Sequence, residues 1–235
     1  MIDTVQGFPP SPWRHAFRLS IPILMGYVPI GMAFGVLWVQ QGLEPSGAPL
    51  LAVIVYAGAS QFMAAAMLAA GQSPVEIALA TLVLNARHAI YGLAFLERFP
   101  KWSVAKGYFA FALTDETYAL LAASPPSDDP GRDRAILWRV AFLNQTYWVA
   151  GCAIGAVAGS LMPGGVSGLD FALTALFIVL LLEQVRAAEK ARAALVATAV
   201  ALAGVLVLGT TNTLLPILAA ALAVVAVVRR RAGTC

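Results

Sequence analysis

Long apolar stretches separated by short polar segments run along almost the whole chain. Stretches of about 20 apolar residues are typical of transmembrane helices, because a helix of that length crosses the hydrocarbon core of a bilayer. Eight stretches follow this pattern, at about residues 15–39, 49–70, 75–96, 103–123, 136–161, 169–182, 193–208 and 214–228. The sequence therefore predicts an all-α membrane protein, a polytopic bundle of about eight transmembrane helices.

The first two stretches contain residues that interrupt helices. Pro29, Gly31 and Gly35 fall inside the first stretch, and Gly58 lies near the middle of the second. Proline removes a backbone hydrogen bond, and glycine is a weak helix former. Irregular backbone at membrane depth is tolerated only where protein or a polar cavity satisfies the freed groups. We therefore predict that some helices are broken, with backbone breaks at these four positions.

One polar linker, residues 124–133, divides a single transporter domain into a first half, 14–123, and a second half, 134–231. The linker is rich in proline and aspartate, which is typical of an exposed loop. The two halves show weak similarity, since residues 30–35 align with residues 154–159. This alignment suggests a weak internal repeat, a common feature of transporters, although Gly-x-x-x-Gly also recurs in membrane helices for packing reasons alone.

Small-residue stripes occur on the first and fifth stretches. Gly31 and Gly35 form one stripe, and Gly151, Gly155 and Gly159 form the other. Glycine at every fourth position allows close helix docking. We expect the stripes to pack against each other inside the bundle, or to leave one of them for a second subunit.

The composition supports the membrane assignment. The chain is 60% hydrophobic and 11% charged, whereas roughly 25% of the residues of a soluble domain are charged. Its net charge of +3 comes from basic residues between apolar stretches, so nucleic acid is not a predicted partner. Two histidines and two cysteines are too few for a metal centre, and no phosphate-binding Gly-x-x-x-x-Gly-Lys-Ser/Thr loop occurs. We predict no metal, no cofactor and no nucleotide-driven pump.

The basic residues predict the orientation in the membrane. Eight crossings place both termini on one side, and lysine and arginine are enriched in cytoplasmic loops. Basic clusters at residues 14–18, 132–139, 186–192 and 229–231 all fall on that side. We therefore predict a multi-pass protein of the cell inner membrane with both termini cytoplasmic. The exception is the loop with Arg98 and Lys101, which indicates that the third or fourth helix is broken or short.

The candidate site centres on polar residues inside the third stretch. Asn85, Arg87, His88 and Tyr91 lie on or near one face of a helix, at about 100° per residue. An ionisable residue at membrane depth costs at least ~2.5 kcal/mol, so such residues usually face a bundle interior or a wet cavity. A simpler alternative stays open: Arg87 extends to the membrane boundary, and His88 is hydrogen-bonded in a packed seam.

Two adjacent carboxylates, Asp115 and Glu116, lie inside the fourth stretch. Burial favours the protonated form of a carboxylate, so this pair can serve as a proton relay with protons as the coupling ion. Alternatively, the two carboxylates form a structural ion pair with Arg87 or a nearby lysine. The residues favour neither alternative.

Further polar or amphipathic side chains inside apolar stretches complete the predicted substrate-binding or coupling residues. They are Ser60 and Gln61 in the second stretch and Asn144, Tyr147 and Trp148 in the fifth.

Five short motifs occur in a fixed order along the chain. They are Pro29-x-Gly31-x-x-x-Gly35, Ala57-Gly58-Ala59-Ser60-Gln61-Phe62, Asn85-x-Arg87-His88-x-x-Tyr91, Thr114-Asp115-Glu116 and Leu169-Asp170-Phe171-Ala172. Their order and spacing resemble those of the AzlC-type permeases, the large subunit of two-component branched-chain amino acid exporters. The resemblance implies a secondary transporter that exports leucine, isoleucine, valine or related compounds across the bacterial inner membrane. It also implies a small membrane partner of the AzlD type, and it carries no agreed set of catalytic residues.

A zwitterionic amino acid suits these residue types. Arg87, or free N–H groups near the breaks of the first stretch, could bind its carboxylate. Asp115 or Glu116 could bind its ammonium group or exchange a proton. The aromatic residues Phe62, Tyr91, Tyr147 and Trp148 could form an apolar wall.

Two other classes of protein stay open. A different secondary transporter, or a channel for another small solute, would have the same composition. An intramembrane hydrolase would need a nucleophile and a base, for which Ser60 and His88 are conceivable. However, Gln61 follows Ser60 and no Gly-x-Ser-x-Gly elbow occurs. We therefore predict that the chain is not an enzyme and has no catalytic residues.

Overall fold

The structure is a computed structural model that describes residues 11–95, 97–99 and 103–162, with residues 199, 200, 202, 203, 206 and 220. The chain forms two compact units, Met1–Ser167 and Gly168–Cys235. The described residues of the second unit are helical. The sixth predicted helix lies outside the described residues, as do most of the seventh and eighth.

Seven helices make up the described part of the first unit, and no strand occurs in that part. They are α1 (Pro12–Gln40), α2 (Gly47–Ile54), α3 (Gly58–Ala69), α4 (Pro74–Leu93), α5 (Val104–Phe111), α6 (Asp115–Ala123) and α7 (Pro130–Leu161). The predicted all-α class is confirmed for the described residues. α1, with 29 residues, and α7, with 32, are long and apolar enough to cross a bilayer. The count of eight crossings is not confirmed, because the second and fourth stretches each form two short helices instead of one long one.

α1 is one uninterrupted helix. The Ser11 side chain caps its first turn, and the helix then continues through Pro22 and Pro29 to its end. The predicted backbone breaks at Pro29, Gly31 and Gly35 are therefore wrong. Each proline removes only one helical hydrogen bond, and α7 packs along most of the length of α1 and supports it.

α1 and α7 touch through their glycines. A Cβ atom added at Gly31 would lie 2.9 Å from the carbonyl oxygen of Trp148. Cβ atoms at Gly35 or Gly155 would overlap the backbone of the facing helix. Backbones that approach this closely require glycine at the contact. The two predicted stripes thus pack against each other, and a second subunit would have to dock elsewhere.

The two helices run in the same direction. The rings of Trp13 and Trp138 meet edge to face, with 5.7 Å between their centroids. Two to three turns further along, the hydroxyls of Ser20 and Tyr147 lie 3.0 Å apart. The glycine contacts follow beyond them, so residue numbers rise together along the pair.

One end of this pair, formed by residues 12–18 and 130–139, is rich in arginine, and we call it the basic end. The guanidinium of Arg139 lies 5.1 Å from the ring centroid of Trp13 and 4.6 Å from that of Trp138. Two of the basic clusters that the charge pattern assigns to one side of the membrane are therefore neighbours in the fold.

α2 and α3 form a first hairpin, which enters from the end opposite the basic end. α2 begins where Gly47 packs on the ring of Trp38, close to the end of α1. The chain turns at residues 55–57, the first tip. Beyond the tip, Gln61 in α3 donates from Nε2 to the carbonyl oxygen of Leu51 in α2, at 3.1 Å. The two short helices therefore lie side by side rather than end to end.

α3 runs back toward the end where α2 began, and α4 then descends to the basic end. The ring of Phe62 in α3 packs against Phe34 of α1, with 5.1 Å between centroids. α4 begins after the capping residue Ser73. Just after α4 ends, Arg98 binds the carboxylate of Asp133 through two hydrogen bonds of 2.7 and 2.5 Å. Because Asp133 lies in the first turn of α7, α4 is antiparallel to α1 and α7.

α5 and α6 form a second hairpin, which enters from the basic end. The ammonium group of Lys106 in α5 donates to the carbonyl of Phe99 at 2.8 Å, so α5 starts beside the end of α4. The chain turns at residues 112–114, the second tip. α6 then returns along α4, where the rings of Tyr118 and Tyr91 stack with 4.6 Å between centroids.

The second and fourth predicted spans are therefore hairpins and not straight crossings. Hydropathy does not separate these cases, because an apolar stretch of about 20 residues has the same composition whether it crosses a bilayer or turns back within it. Gly58 is the first residue of α3, directly after the first tip. The hairpins also remove the exception in the charge pattern, since Arg98 lies at the basic end.

Cysteines at Gln72 and Glu97 distinguish the hairpins from straight helices. In whole cells carrying the chain with Cys152→Ala and Cys235→Ala, a membrane-impermeant maleimide should label Gln72→Cys and cysteines in residues 42–47. It should not label Glu97→Cys or cysteines in residues 127–134, because these positions lie at the basic end, which the charge pattern assigns to the cytoplasm. Straight helices would exchange the results for Gln72→Cys and Glu97→Cys, and that pattern would contradict the hairpins.

Gly35→Ala should destabilise the fold, whereas Gly26→Ala on the same helix should not. A methyl group at Gly35 overlaps the backbone of α7, and overpacking of this kind costs about 1–3 kcal/mol. One at Gly26 meets nothing within 4 Å, and alanine stabilises a helix by up to ~1 kcal/mol relative to glycine. Thermal unfolding in detergent should show a lower midpoint for Gly35→Ala alone. Equal midpoints would show that the glycine contact is not tight.

Candidate functional site

Each hairpin tip interrupts the hydrogen bonding of the helices, and side chains bond to backbone groups that are thereby freed. Near the end of α2, the carbonyl of Leu51 accepts from Gln61, and that of Val53 accepts from Nε2 of Gln145 at 3.2 Å. At the second tip, the Thr114 hydroxyl accepts an N–H of the first turn of α6 at 3.3 Å. Backbone groups without partners are costly in apolar surroundings. Bonding to the backbone at the tips therefore explains why several polar side chains lie in these apolar stretches.

Two further hydrogen bonds fix the first hairpin to its neighbours. The hydroxyl of Ser60 donates to the amide oxygen of Asn85 in α4 at 2.5 Å. The indole N–H of Trp148 in α7 donates to Oε1 of Gln61 at 2.7 Å. Ser60 and Gln61 are fully buried. The start of α3 is thus tied to α4 on one side and to α7 on the other.

The second hairpin is tied to α1 and α7 in a similar way. The Tyr27 hydroxyl lies 2.6 Å from that of Thr114 and donates to the carboxylate of Glu116 at 2.7 Å. Thr117 accepts a hydrogen bond from Nδ2 of Asn144 at 2.9 Å. Thr114, Thr117 and Asn144 are buried, whereas Glu116 is an exposed residue, so the network runs from the interior of the unit to its surface.

α4 contributes a third set of contacts. The Tyr91 hydroxyl donates to the carboxylate of Asp115 at 2.5 Å, and the ring of His88 lies 5.8 Å from that of Tyr91. The side chain of Arg87 lies outside what the structure describes. An ion pair of Arg87 with Asp115 or Glu116, and a proton relay through these carboxylates, therefore stay predictions.

An open apolar cleft of about 710 Å³ lies beside these networks. Its polar lining consists of Tyr56, Thr81, Asn85 and His88, and its other lining residues are Leu51, Ile54, Val55, Ala64, Leu68, Pro74, Ile77, Ala78, Leu82, Gly92, Ala110 and Phe111. The lining comes from both sides of the first tip, from α4 and from the end of α5. The cleft therefore lies where the two hairpins approach each other.

The structure brings most of the predicted site residues to the region of the tips. Those with described contacts there are Ser60, Gln61, Asn85, His88, Tyr91, Asp115, Glu116, Asn144 and Trp148. Tyr147 is placed elsewhere, since its hydroxyl pairs with that of Ser20 nearer the basic end. Whether the gathered residues contact a substrate stays a prediction.

Sequence reasoning does not identify five further residues that take part in these contacts: Tyr27, Tyr56, Thr114, Thr117 and Gln145. A single tyrosine or threonine in an apolar stretch is common and gives little signal. Only Thr114 has a recognisable pattern, because a threonine followed by two acidic residues is typical of a helix N-terminus. That pattern predicts the start of α6.

The contacts of Ser60 do not favour a hydrolase. A nucleophilic serine donates its proton to a base, whereas the Ser60 hydroxyl donates to the amide oxygen of Asn85. An amide oxygen is not a base that activates a nucleophile.

Apolar helices that enclose buried polar side chains and hairpin tips are consistent with a helical membrane protein. The family model described as AzlC protein matches residues 22–162, and the chain belongs to the AzlC family. The resemblance drawn from the five motifs is thereby confirmed.

Three relatives illustrate the family. The branched-chain amino acid transport protein AzlC of Bacillus subtilis is 33% identical over 220 residues, which cover 93% of this chain and 85% of that protein. The inner membrane protein YgaZ of Escherichia coli is 35% identical over 185 residues, 74% of this chain and 75% of that protein. An uncharacterized membrane protein of Helicobacter pylori is 38% identical over 172 residues, 73% of this chain and 75% of that protein. No solved structure matches the chain.

Proposed function

We propose that this chain is a secondary transporter that exports branched-chain amino acids across the bacterial inner membrane, as the large subunit beside a small AzlD-type membrane partner. The observation that carries this proposal is the apolar cleft where the two hairpins approach each other. The name of the Bacillus subtilis relative supports the same substrate class.

The cleft has the character of a site for an aliphatic side chain. Its volume of about 710 Å³ lies within the range of small-molecule sites, roughly 300–1,000 Å³. Most of its lining is aliphatic, and Asn85 and His88 place polar groups on one wall. Such sites combine an apolar lining with a few polar groups that orient the ligand. Leucine, isoleucine and valine match this division into an apolar and a polar end.

The polar end of the substrate requires charged or dipolar partners near the tips. Arg87 is the candidate for the substrate carboxylate. Asp115 and Glu116 are candidates for its ammonium group or for exchange of a proton, and hydrogen bonds from Tyr91 and Tyr27 already hold them in place. Binding at a broken helix near mid-membrane is a recurrent arrangement in secondary transporters.

The proposed location is the inner membrane, as a multi-pass protein with both termini cytoplasmic, and two observations support it. The Escherichia coli relative is named an inner membrane protein. The basic end gathers the arginines near the start of α1 and α7, and Arg98 with them. Cytoplasmic faces are enriched in such residues. The basic end is therefore the proposed cytoplasmic end.

The alternative is a secondary transporter or channel for another small solute. The same cleft would then accept a different apolar molecule. The alternative predicts that export of leucine, isoleucine and valine does not depend on this chain.

Filling the cleft should block the transport of large substrates. Ala78→Phe places an aromatic ring in the cleft lining, and we expect leucine export to fall about tenfold or more, with valine less affected. Leu79→Phe is the matched control, because Leu79 is the next residue of α4 and is not part of the lining. The measurement is efflux of each amino acid from loaded cells. Normal leucine export by Ala78→Phe would exclude the cleft as the substrate site.

Export should require both subunits and an intact Arg87. The chain alone should insert and export poorly, whereas co-expression with an AzlD-type partner should lower intracellular leucine and valine and raise them in the medium. Arg87→Gln in the co-expressed pair should abolish export and leave insertion intact, because the substrate carboxylate would lose its cation.

Each of these predictions has an outcome that would contradict it. Full efflux from the chain alone would overturn the two-component assignment. Normal export by Arg87→Gln would remove Arg87 from the site. Unchanged amino acid levels with both subunits present would overturn the substrate class.

A further inference from the structure

Two buried oxygen atoms near the hairpin tips have no hydrogen-bond partner among the described residues. They are the hydroxyl of Tyr56 and the amide oxygen Oδ1 of Asn144. Tyr56 is 3% exposed and Asn144 is fully buried. Nearly all buried polar atoms of native proteins are hydrogen-bonded, and the exceptions require an explanation such as a bound water or a bound ion. These two atoms are therefore a starting point for a ligand site.

Both atoms belong to residues around the start of α6. The Tyr56 hydroxyl lies near those of Tyr27 and Thr117 without meeting hydrogen-bond geometry with either, and Asn144 donates its Nδ2 hydrogen to Thr117 at 2.9 Å. The carboxylate of Glu116 joins the group through Tyr27 at 2.7 Å. We call the set of six residues the oxygen cluster: Tyr27, Tyr56, Thr114, Thr117, Glu116 and Asn144.

The oxygen cluster has the chemistry of a cation site. Hydroxyl, amide and carboxylate oxygens are hard ligands that suit ions such as Na⁺, Mg²⁺ and Ca²⁺. The cluster holds a single carboxylate, that of Glu116, an exposed residue whose Oε2 accepts from the buried Tyr27 hydroxyl. Its charge balances one monovalent ion. The second tip also ends α5, and the carbonyl groups at a helix C-terminus favour positive charge. Broken helices in transporters present such carbonyls to Na⁺.

We propose that the oxygen cluster binds Na⁺ and that this ion couples the export of the substrate. The coupling role rests on the proposed function, whereas binding of the ion does not. An ion in the cluster would interact at once with α1, the first tip, α6 and α7. Its occupancy would therefore hold the second hairpin against the parallel pair of α1 and α7 and favour one conformation of the tips.

Two other species share part of this chemistry. The ammonium group of the amino acid is also a monovalent cation, and a proton on Glu116 would neutralise the carboxylate without a metal ion. Measurements without amino acid exclude the first species. Measurements at several pH values identify the second.

Thermal unfolding of the purified full-length chain, without amino acid, tests the site. NaCl in place of choline chloride at equal ionic strength should raise the unfolding midpoint, because an ion that binds only the folded state stabilises it. KCl should raise it less. Thr117→Val and Asn144→Leu each remove oxygen atoms from the cluster, and each should weaken the apparent affinity for Na⁺ about tenfold or more.

Matched variants separate ion binding from general damage. Thr146→Val makes the same change at an exposed position of α7, where the hydroxyl bonds only its own helix at the Phe142 carbonyl. It should keep the full Na⁺ response. Tyr56→Phe removes an unpartnered hydroxyl with little change of shape, so it should fold and show a reduced response even if Thr117→Val does not fold.

Absence of a Na⁺ effect in the unaltered chain would overturn the proposal, and so would equal responses of Tyr56→Phe and Thr146→Val. A midpoint that depends on pH, is insensitive to Na⁺ and loses its pH dependence in Glu116→Gln would assign the cluster to a proton instead. Na⁺ binding without any leucine export would support the site and contradict the proposed function. Leucine export that is independent of Na⁺ would overturn the coupling role and leave the transport function intact.

Discussion

The contact between the backbones of α1 and α7 is the constraint on which the rest of the first unit depends. Glycines such as Gly35 and Gly155 let the two helices meet where any larger residue would overlap the facing backbone. The result is a parallel pair that carries Tyr27 on one helix and Asn144 and Trp148 on the other. Both hairpins bind to side chains of this pair, although they enter from opposite ends. The glycines therefore determine where the polar residues of two distant parts of the sequence meet.

A second constraint follows from the hairpin tips, where the hydrogen bonding of the helices is interrupted. Side chains such as Gln61, Gln145 and Thr114 bond to backbone groups there. These side chains serve the fold whether or not they touch a substrate, and variants at these positions will report both effects together. The Tyr56 hydroxyl and Oδ1 of Asn144 have no such partner among the described residues. Variants that affect them report ligand binding more directly.

The sequence predicts the helical class and most of the polar residues that the structure gathers near the tips, because burying a polar group in apolar surroundings has a cost that marks the residue as unusual. It does not predict the hairpins, since the stretches at 49–70 and 103–123 have the length and composition of straight transmembrane helices. The one sign of them is Arg98, which breaks the charge pattern of eight crossings and pairs with Asp133 at the basic end. For α1 the error is the reverse: its prolines and glycines predict a broken helix, and the structure has a continuous one. Local helix propensity does not include the support that packing against α7 provides.

The direction of α4 determines the arrangement of the first unit, because an α4 antiparallel to α1 and α7 requires the stretches on either side of it to turn back. A disulfide between cysteines at positions 98 and 133 tests this direction. The variant carries Arg98→Cys, Asp133→Cys, Cys152→Ala and Cys235→Ala, with a protease site inserted in residues 125–128. The arrangement predicts that mild oxidation in native membranes joins the two cysteines, so the cleaved chain runs as one band until it is reduced. Eight straight helices would place the two positions on opposite faces of a bilayer core about 30 Å thick. Two separate fragments, with or without oxidant, would contradict the arrangement.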